Sequence, residues 1–170
     1  MELDPFNNLI QGHYAMNLFI RRRYDEVISF VTETDQTHPF ARNALRASYF
    51  LVGDYKNAFE QEIQSAGRRG NDKEMKDTLQ KGYEKGGYFE AIRRQVMLLE
   101  RRSQTMFVPT MHLATQYALL EDVEKTLKFL ERALVERDAN LPYISIIPLF
   151  DFLRDEPRFK EILRRMNLPE

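Results

Sequence analysis

The sequence predicts an all-α fold, a solenoid of about four stacked helical hairpins closed by a C-terminal capping segment. Three observations predict it. One five-residue pattern recurs with a period near 34, and a period of that size with two helices per unit is the arithmetic of a helix–turn–helix array. The stretches between these anchors carry apolar residues at helical spacing. Gly and Pro number only seven each in 170 residues, too few for an all-β or low-complexity chain.

The pattern is an aromatic or apolar residue, two polar ones (Tyr88 is followed by Phe89-Glu90 instead), a small or β-branched one, then an apolar one. It occurs at Tyr24–Ile28, Tyr55–Phe59, Tyr88–Ile92 and Val123–Leu127. Its small positions, Val27, Ala58, Ala91 and Thr126, are 31, 33 and 35 residues apart. Before the first anchor, Ile10, Tyr14, Leu18 and Phe19 form a helical stripe with Ala15 placed for a close crossing, and Arg21–Arg23 make a polar turn. Before the second, Leu45, Tyr49 and Val52 lead into Gly53-Asp54, where glycine suits a left-handed helix end. Asn71-Asp72 can cap the third unit, and Gly86-Gly87 break it before Tyr88. In the fourth, Leu113, Ala114 and Tyr117 precede Glu121-Asp122, and Leu127, Leu130, Ala133 and Leu134 follow. The predicted helices are 7–21, 24–35, 38–52, 55–67, 71–85, 88–102, 108–120 and 123–136. They group into units 7–35, 38–67, 71–102 and 108–136 of a repeat region 1–136, with a cap over 137–170.

A terminal hairpin needs a cover with a polar outer side. In the tail Leu141-Pro142-Tyr143 turns the chain, and Ile144, Ile146, Ile147, Leu149, Phe150 and Leu153 supply apolar surface. Pro157 suits the first turn of a last helix whose Phe159, Ile162, Leu163 and Met166 make one stripe.

At these residues the chain resembles the tetratricopeptide (TPR) repeat family, which implies a right-handed solenoid of helical hairpins. Leu3-Asp4-Pro5 resembles the end of a preceding unit, and Pro148–Met166 is similar to an ending common in the C-terminal TPR regions of bacterial multidomain regulators. Those regulators are winged-helix transcription factors, nucleotide cyclases and serine/threonine kinases. Four residues depart from the family pattern. Arg46 and Gly82 stand where a small and a large apolar residue are usual, and Glu62 and Gln95 stand where bulky apolar residues are usual. Either those interfaces are loosened or the helix phase slips; the slip, which hands the core face to Phe59, Ile63 and Ala66, is the favoured resolution.

The resemblance also implies a concave face lined by the first helix of each unit. Mapped by spacing, Met16, Phe19 and Ile20 line it from the first unit, and Asn43, Ala47 and Phe50 from the second. Lys76, Gln80 and Tyr83 follow from the third, and Met111, Thr115 and Leu119 from the fourth. Asn43, Gln80 and Tyr83 are the groups suited to orient a ligand's backbone. Chaperone-binding relatives clamp a carboxylate at this face with lysines, asparagines and an arginine. Here Gly12, Met16, Ala44, Lys73 and Asp77 stand there instead, which argues against such a clamp. A partly aromatic, Met-containing groove suits an amphipathic helix or a peptide, including a domain of the same polypeptide. The alternative is self-association through apolar surface around Leu9 and Ile10, giving a homodimer.

Other functions are disfavoured by composition. With 25 Lys+Arg against 26 Asp+Glu, the chain lacks the basic surface that draws nucleic acid, and most of its paired arginines lie near acids in the sequence. The absence of cysteine removes disulfides, thiolate metal sites and thiol catalysis. His13, His38 and His112 fall in three different units without a helical metal spacing, and neither a phosphate loop nor a nucleophile elbow is present. The expectation is therefore no enzyme, no metal and no cofactor. No window approaches 18 apolar residues, and the acidic start lacks the basic and apolar stretches of a signal peptide. A cytoplasmic location without membrane contact by this chain is expected.

Overall fold

A computed structural model of the chain describes residues 7–34, 38–68 and 72–169. Leu3-Asp4-Pro5, Arg69 and the expected cap residue Asn71 lie outside the described residues. Among those described there are helices and no strands. The chain divides into two compact units, Met1–Gly70 and Asn71–Glu170.

The first unit contains α1 (Asn8–Ile20), α2 (Tyr24–Glu33), α3 (Pro39–Leu51) and α4 (Tyr55–Arg68). Helices α1, α3 and α4 each start at a capping side chain, whereas α2 has none. The Asn7 side chain accepts hydrogen bonds from the Leu9 and Ile10 amides at 3.0 and 3.3 Å. His38 Nδ1 accepts from the Phe40 amide, with Pro39 at the first helical position. Asp54 accepts from the Asn57 amide at 3.1 Å. These side chains satisfy N–H groups that a helix start leaves orphaned. Helix α1 packs on α2 and α3, α2 on α3, and α3 on α4. Small residues let them approach: Gly12 and Ala15 of α1 and Ala41 and Ala44 of α3 are buried.

The second unit opens with α5 (Lys73–Arg102), which bends at Gly86-Gly87 into two arms. Gly87 has φ 70°, a left-handed conformation that favours glycine. The arms fold back on each other, so that Arg102 at the end of the second reaches Asp72 at the start of the first. Helices α6 (Thr110–Ala118) and α7 (Val123–Glu136) follow, then two 3-10 turns, Leu141–Ser145 and Pro148–Leu153, and finally α8 (Pro157–Arg165). Helix α5 packs on α6, α6 on α7, and α7 on α8. The first 3-10 turn lies against α7 and the second against α6. Their Ile144, Phe150 and Leu153, with Phe159, Ile162 and Leu163 of α8, are buried. Arg158 reaches from α8 to Glu124 and Glu131 of α7, each at 2.8 Å.

The period predicted from sequence is visible in the backbone. Each helix pair turns through one residue of positive φ, namely Arg22, Gly53, Gly87 and Glu121, spaced 31, 34 and 34 residues apart. The small residues Val27, Ala58, Ala91 and Thr126 are all completely buried. Phe19 tilts against Tyr24 and Phe50 against Tyr55, the same contact made once in each hairpin of the first unit.

Several details differ from expectation. Ile10, Tyr14, Val52 and Ile146 are exposed and do not join the core. In α4 Phe59 and Ala66 are buried as expected and Ile63 is half-buried, but Glu62 is not displaced from the core. Glu62 itself is buried at 1% side-chain exposure, and Arg46, at 11%, donates to it across 3.3 Å. Two departures from the family pattern thus answer each other, a long cation in place of a small residue meeting a carboxylate in place of an apolar one. In α5, Gly82 stands where a large residue was expected because the arms touch there. A Cβ on it would lie 2.6 Å from the Ala91 Cα.

Removing one partner of a buried ion pair leaves a charge uncompensated, whereas replacing both by apolar residues does not. Glu62→Ala is expected to lower stability in urea unfolding by about 3–5 kcal/mol. The double replacement Arg46→Met, Glu62→Leu is expected to restore it. Gly82→Ala is expected to cost about 1–3 kcal/mol by forcing the α5 arms apart; an unchanged unfolding midpoint would contradict that close approach.

Candidate binding surfaces

In the first unit, α1 and α3 bring the two predicted groove trios side by side, but mostly inside the protein. Phe19, Ala47 and Phe50 are buried, Met16 and Ile20 are half-buried, and Asn43 alone is exposed. Phe19 and Phe50 pack under the hairpin turns and are structural. The surface that α1 and α3 present is made instead by Leu9 (52% exposed), His13, Phe40 (40% exposed) and Asn43. The His13 ring meets Phe40 edge-on at 5.1 Å, and the His38 ring meets the same Phe40 at 5.0 Å. Two histidines that the sequence assigns to different units thus flank one aromatic ring. Sequence spacing places Leu9 only on a self-association surface, and His13 and Phe40 on no binding surface, although a signal existed. Leu9 and Phe40 are 31 residues apart, the same offset as Val27 and Ala58, so they hold equivalent places in consecutive hairpins.

In the second unit, Lys76 and Tyr83 are half-buried and Gln80 is exposed, its amide donating to Glu84 at 3.0 Å. Met111 of α6 and Leu119, which caps its end, are buried, and the half-buried Thr115 donates its hydroxyl to the Met111 carbonyl at 2.8 Å. The structure does not gather these into an apolar groove of open side chains. Tyr117 of α6 stacks on Phe129 of α7 at 5.5 Å with Lys125 over its ring. Burial, then hydrogen bonding to Glu100, pushes the Tyr117 phenol up, so it stays protonated and serves packing.

A groove of about 340 Å³ does lie along the two arms of α5. Glu74, Thr78 and Lys81 line it from the first arm, and Arg94, Met97, Leu98 and Arg101 from the second. Its walls are held by a charge cluster. Arg102 pairs with Asp72 and, at 2.6 Å, with Glu74, which also takes Arg101. Asp72 does a second job as the N-cap of α5, accepting from the Met75 amide at 3.0 Å. The hydrogen bond from Arg102 is the main cause that holds the Asp72 carboxyl below its usual range, and the same guanidinium lowers Glu74.

The described residues contain no group of three or more His, Asp or Glu side chains arranged to hold a metal ion. No helix among them is long and apolar enough to cross a membrane. No family model, curated protein or solved structure matches the chain.

The pH response of the α5 clamp follows from the sign of the Asp72 shift. A carboxyl whose pKa is depressed on folding contributes stability above its unfolded value of about 3.9, and loses it as pH falls through the folded value. Asp72→Asn keeps a capping side chain but removes the titrating charge. Between pH 5 and pH 2, by circular dichroism, the parent is expected to lose more stability than Asp72→Asn does; equal losses would show that the pair contributes nothing.

Proposed function

We propose that the chain is a protein-interaction module of the TPR type, binding a peptide or an amphipathic helix rather than carrying out catalysis. The observation that carries this reading is the α1–α3 surface, where Leu9 and Phe40 stand exposed at equivalent places of successive hairpins beside the polar His13 and Asn43. Apolar anchors at a repeating interval with hydrogen-bonding groups between them suit a helix laid across the hairpins. Met16 and Ile20, half-buried on α1, extend the apolar floor of that surface. The repeated hairpin turns and buried small residues support the solenoid assignment, in which first-helix residues share a face. The resemblance of the tail to bacterial regulators favours a partner that is another domain of a signalling protein.

Self-association is a second reading with its own observation. Ile10 and Tyr14 are exposed on the other side of α1, where Tyr14 meets Phe30 of α2 edge-on at 4.9 Å. Light scattering over a dilution series separates the two. The leading reading expects a monomer that binds sequences selected from a displayed library of random 16-residue peptides. Leu9→Asp with Phe40→Ser is expected to weaken the selected peptides by tenfold or more, since two anchor residues are lost. A selection in which no peptide responds to these two substitutions, or a dimer that resists dilution and takes up none, would contradict it.

A further inference from the structure

The groove along α5 differs from the α1–α3 surface in both place and chemistry. Its apolar lining is Leu98, buried, and Met97, which is 64% exposed. A methionine so placed is unbranched and polarisable, and it adapts to an apolar partner. Its charged lining is three cations, Lys81, Arg94 and Arg101, against one acid, Glu74. Lys81 stands on one side with no ion pair seen among the described residues, and Arg94 and Arg101 stand on the other. Arg94 holds Glu90 at 2.9 Å and Arg101 holds Glu74, yet a guanidinium has five N–H donors and keeps several for a further carboxylate. The excess is regional. Between Asp72 and Arg102 there are eight Lys and Arg against six Asp and Glu, in a chain whose totals are 25 against 26.

We propose that this groove docks an acidic amphipathic helix of a protein partner, with an apolar residue set on Met97 and Leu98 and flanking carboxylates reaching Lys81, Arg94 and Arg101. The helix form follows from the groove's shape, since it runs between two helical arms and lies open to solvent. At about 340 Å³ it is at the small end of ligand pockets, too open to enclose a small molecule. Charge complementarity selects the acidic partner and repels a basic one. The inference goes beyond the general binding reading by naming a separate surface and the charge of what it holds.

The test is selection of random 16-residue peptides on the full chain, with each winner titrated by fluorescence anisotropy. The titrations use the parent, Lys81→Glu, Met97→Asp and, as a surface control, Lys56→Glu. All three positions are exposed, so the variants are expected to fold. The proposal expects a class of winners rich in Asp and Glu with apolar residues at helical spacing. These are expected to bind both Lys81→Glu and Met97→Asp at least about tenfold more weakly, and to bind Lys56→Glu as they bind the parent. It is overturned if no winner responds to both groove substitutions, or if those that respond carry no acidic excess. With Leu9→Asp plus Phe40→Ser titrated in parallel, a selection whose winners respond to that variant alone overturns this proposal while leaving the α1–α3 reading in place.

Discussion

The structure depends on one constraint, that a short helix can bury its apolar face only against helices close to it in sequence. Such burial is effective when backbones approach, which requires small side chains at the crossings. Val27, Ala58, Ala91 and Thr126 meet that requirement in the second helix of each pair, and Ala15, Ala44, Gly82 and Ala114 meet it in the first. At Gly82 even a methyl group does not fit. The C-terminal segment follows from the same constraint, because α7 has a face to cover and α8 covers it with Phe159, Ile162 and Leu163.

Much of this was legible in the sequence, since period and spacing report which face of a helix is buried. The predicted helix bounds over 24–35, 38–52, 55–67 and 123–136 lie within two residues of α2, α3, α4 and α7. The break at Gly86-Gly87 was legible because two consecutive glycines leave a helix little reason to continue. Periodicity says nothing of which polar residue will be buried with which. Arg46 and Glu62 are 16 residues apart on different helices, and each alone contradicts the pattern; only the packing of α3 on α4 shows that they belong together. Exposure at an element's edge is equally hard to read. Ile10 and Tyr14 fit the helical stripe of α1 but face outward.

The same limit explains the candidate site. Spacing put Phe19, Ala47 and Phe50 on the first helices, and they are there, but tight crossings carry them inside. What remains on the surface includes Leu9 and Phe40, ten residues nearer each helix start than Phe19 and Phe50, where α1 and α3 present their first turns. The α5 groove was out of reach for another reason. Its residues come from both arms of a bent element, and their conjunction depends on the bend at Gly87 and the Arg102 clamp.

The claim that each helix relies on its immediate neighbours is tested most directly by native-state hydrogen exchange of Phe159→Ala. Phe159 is fully buried in α8, and truncating a buried aromatic costs about 3–5 kcal/mol. In the second unit the packing runs from α8 to α7, then α6, then α5. The account predicts exchange accelerated most in α8 and α7, less in α6 and least in α5. A uniform acceleration across α5, α6 and α7 would contradict it.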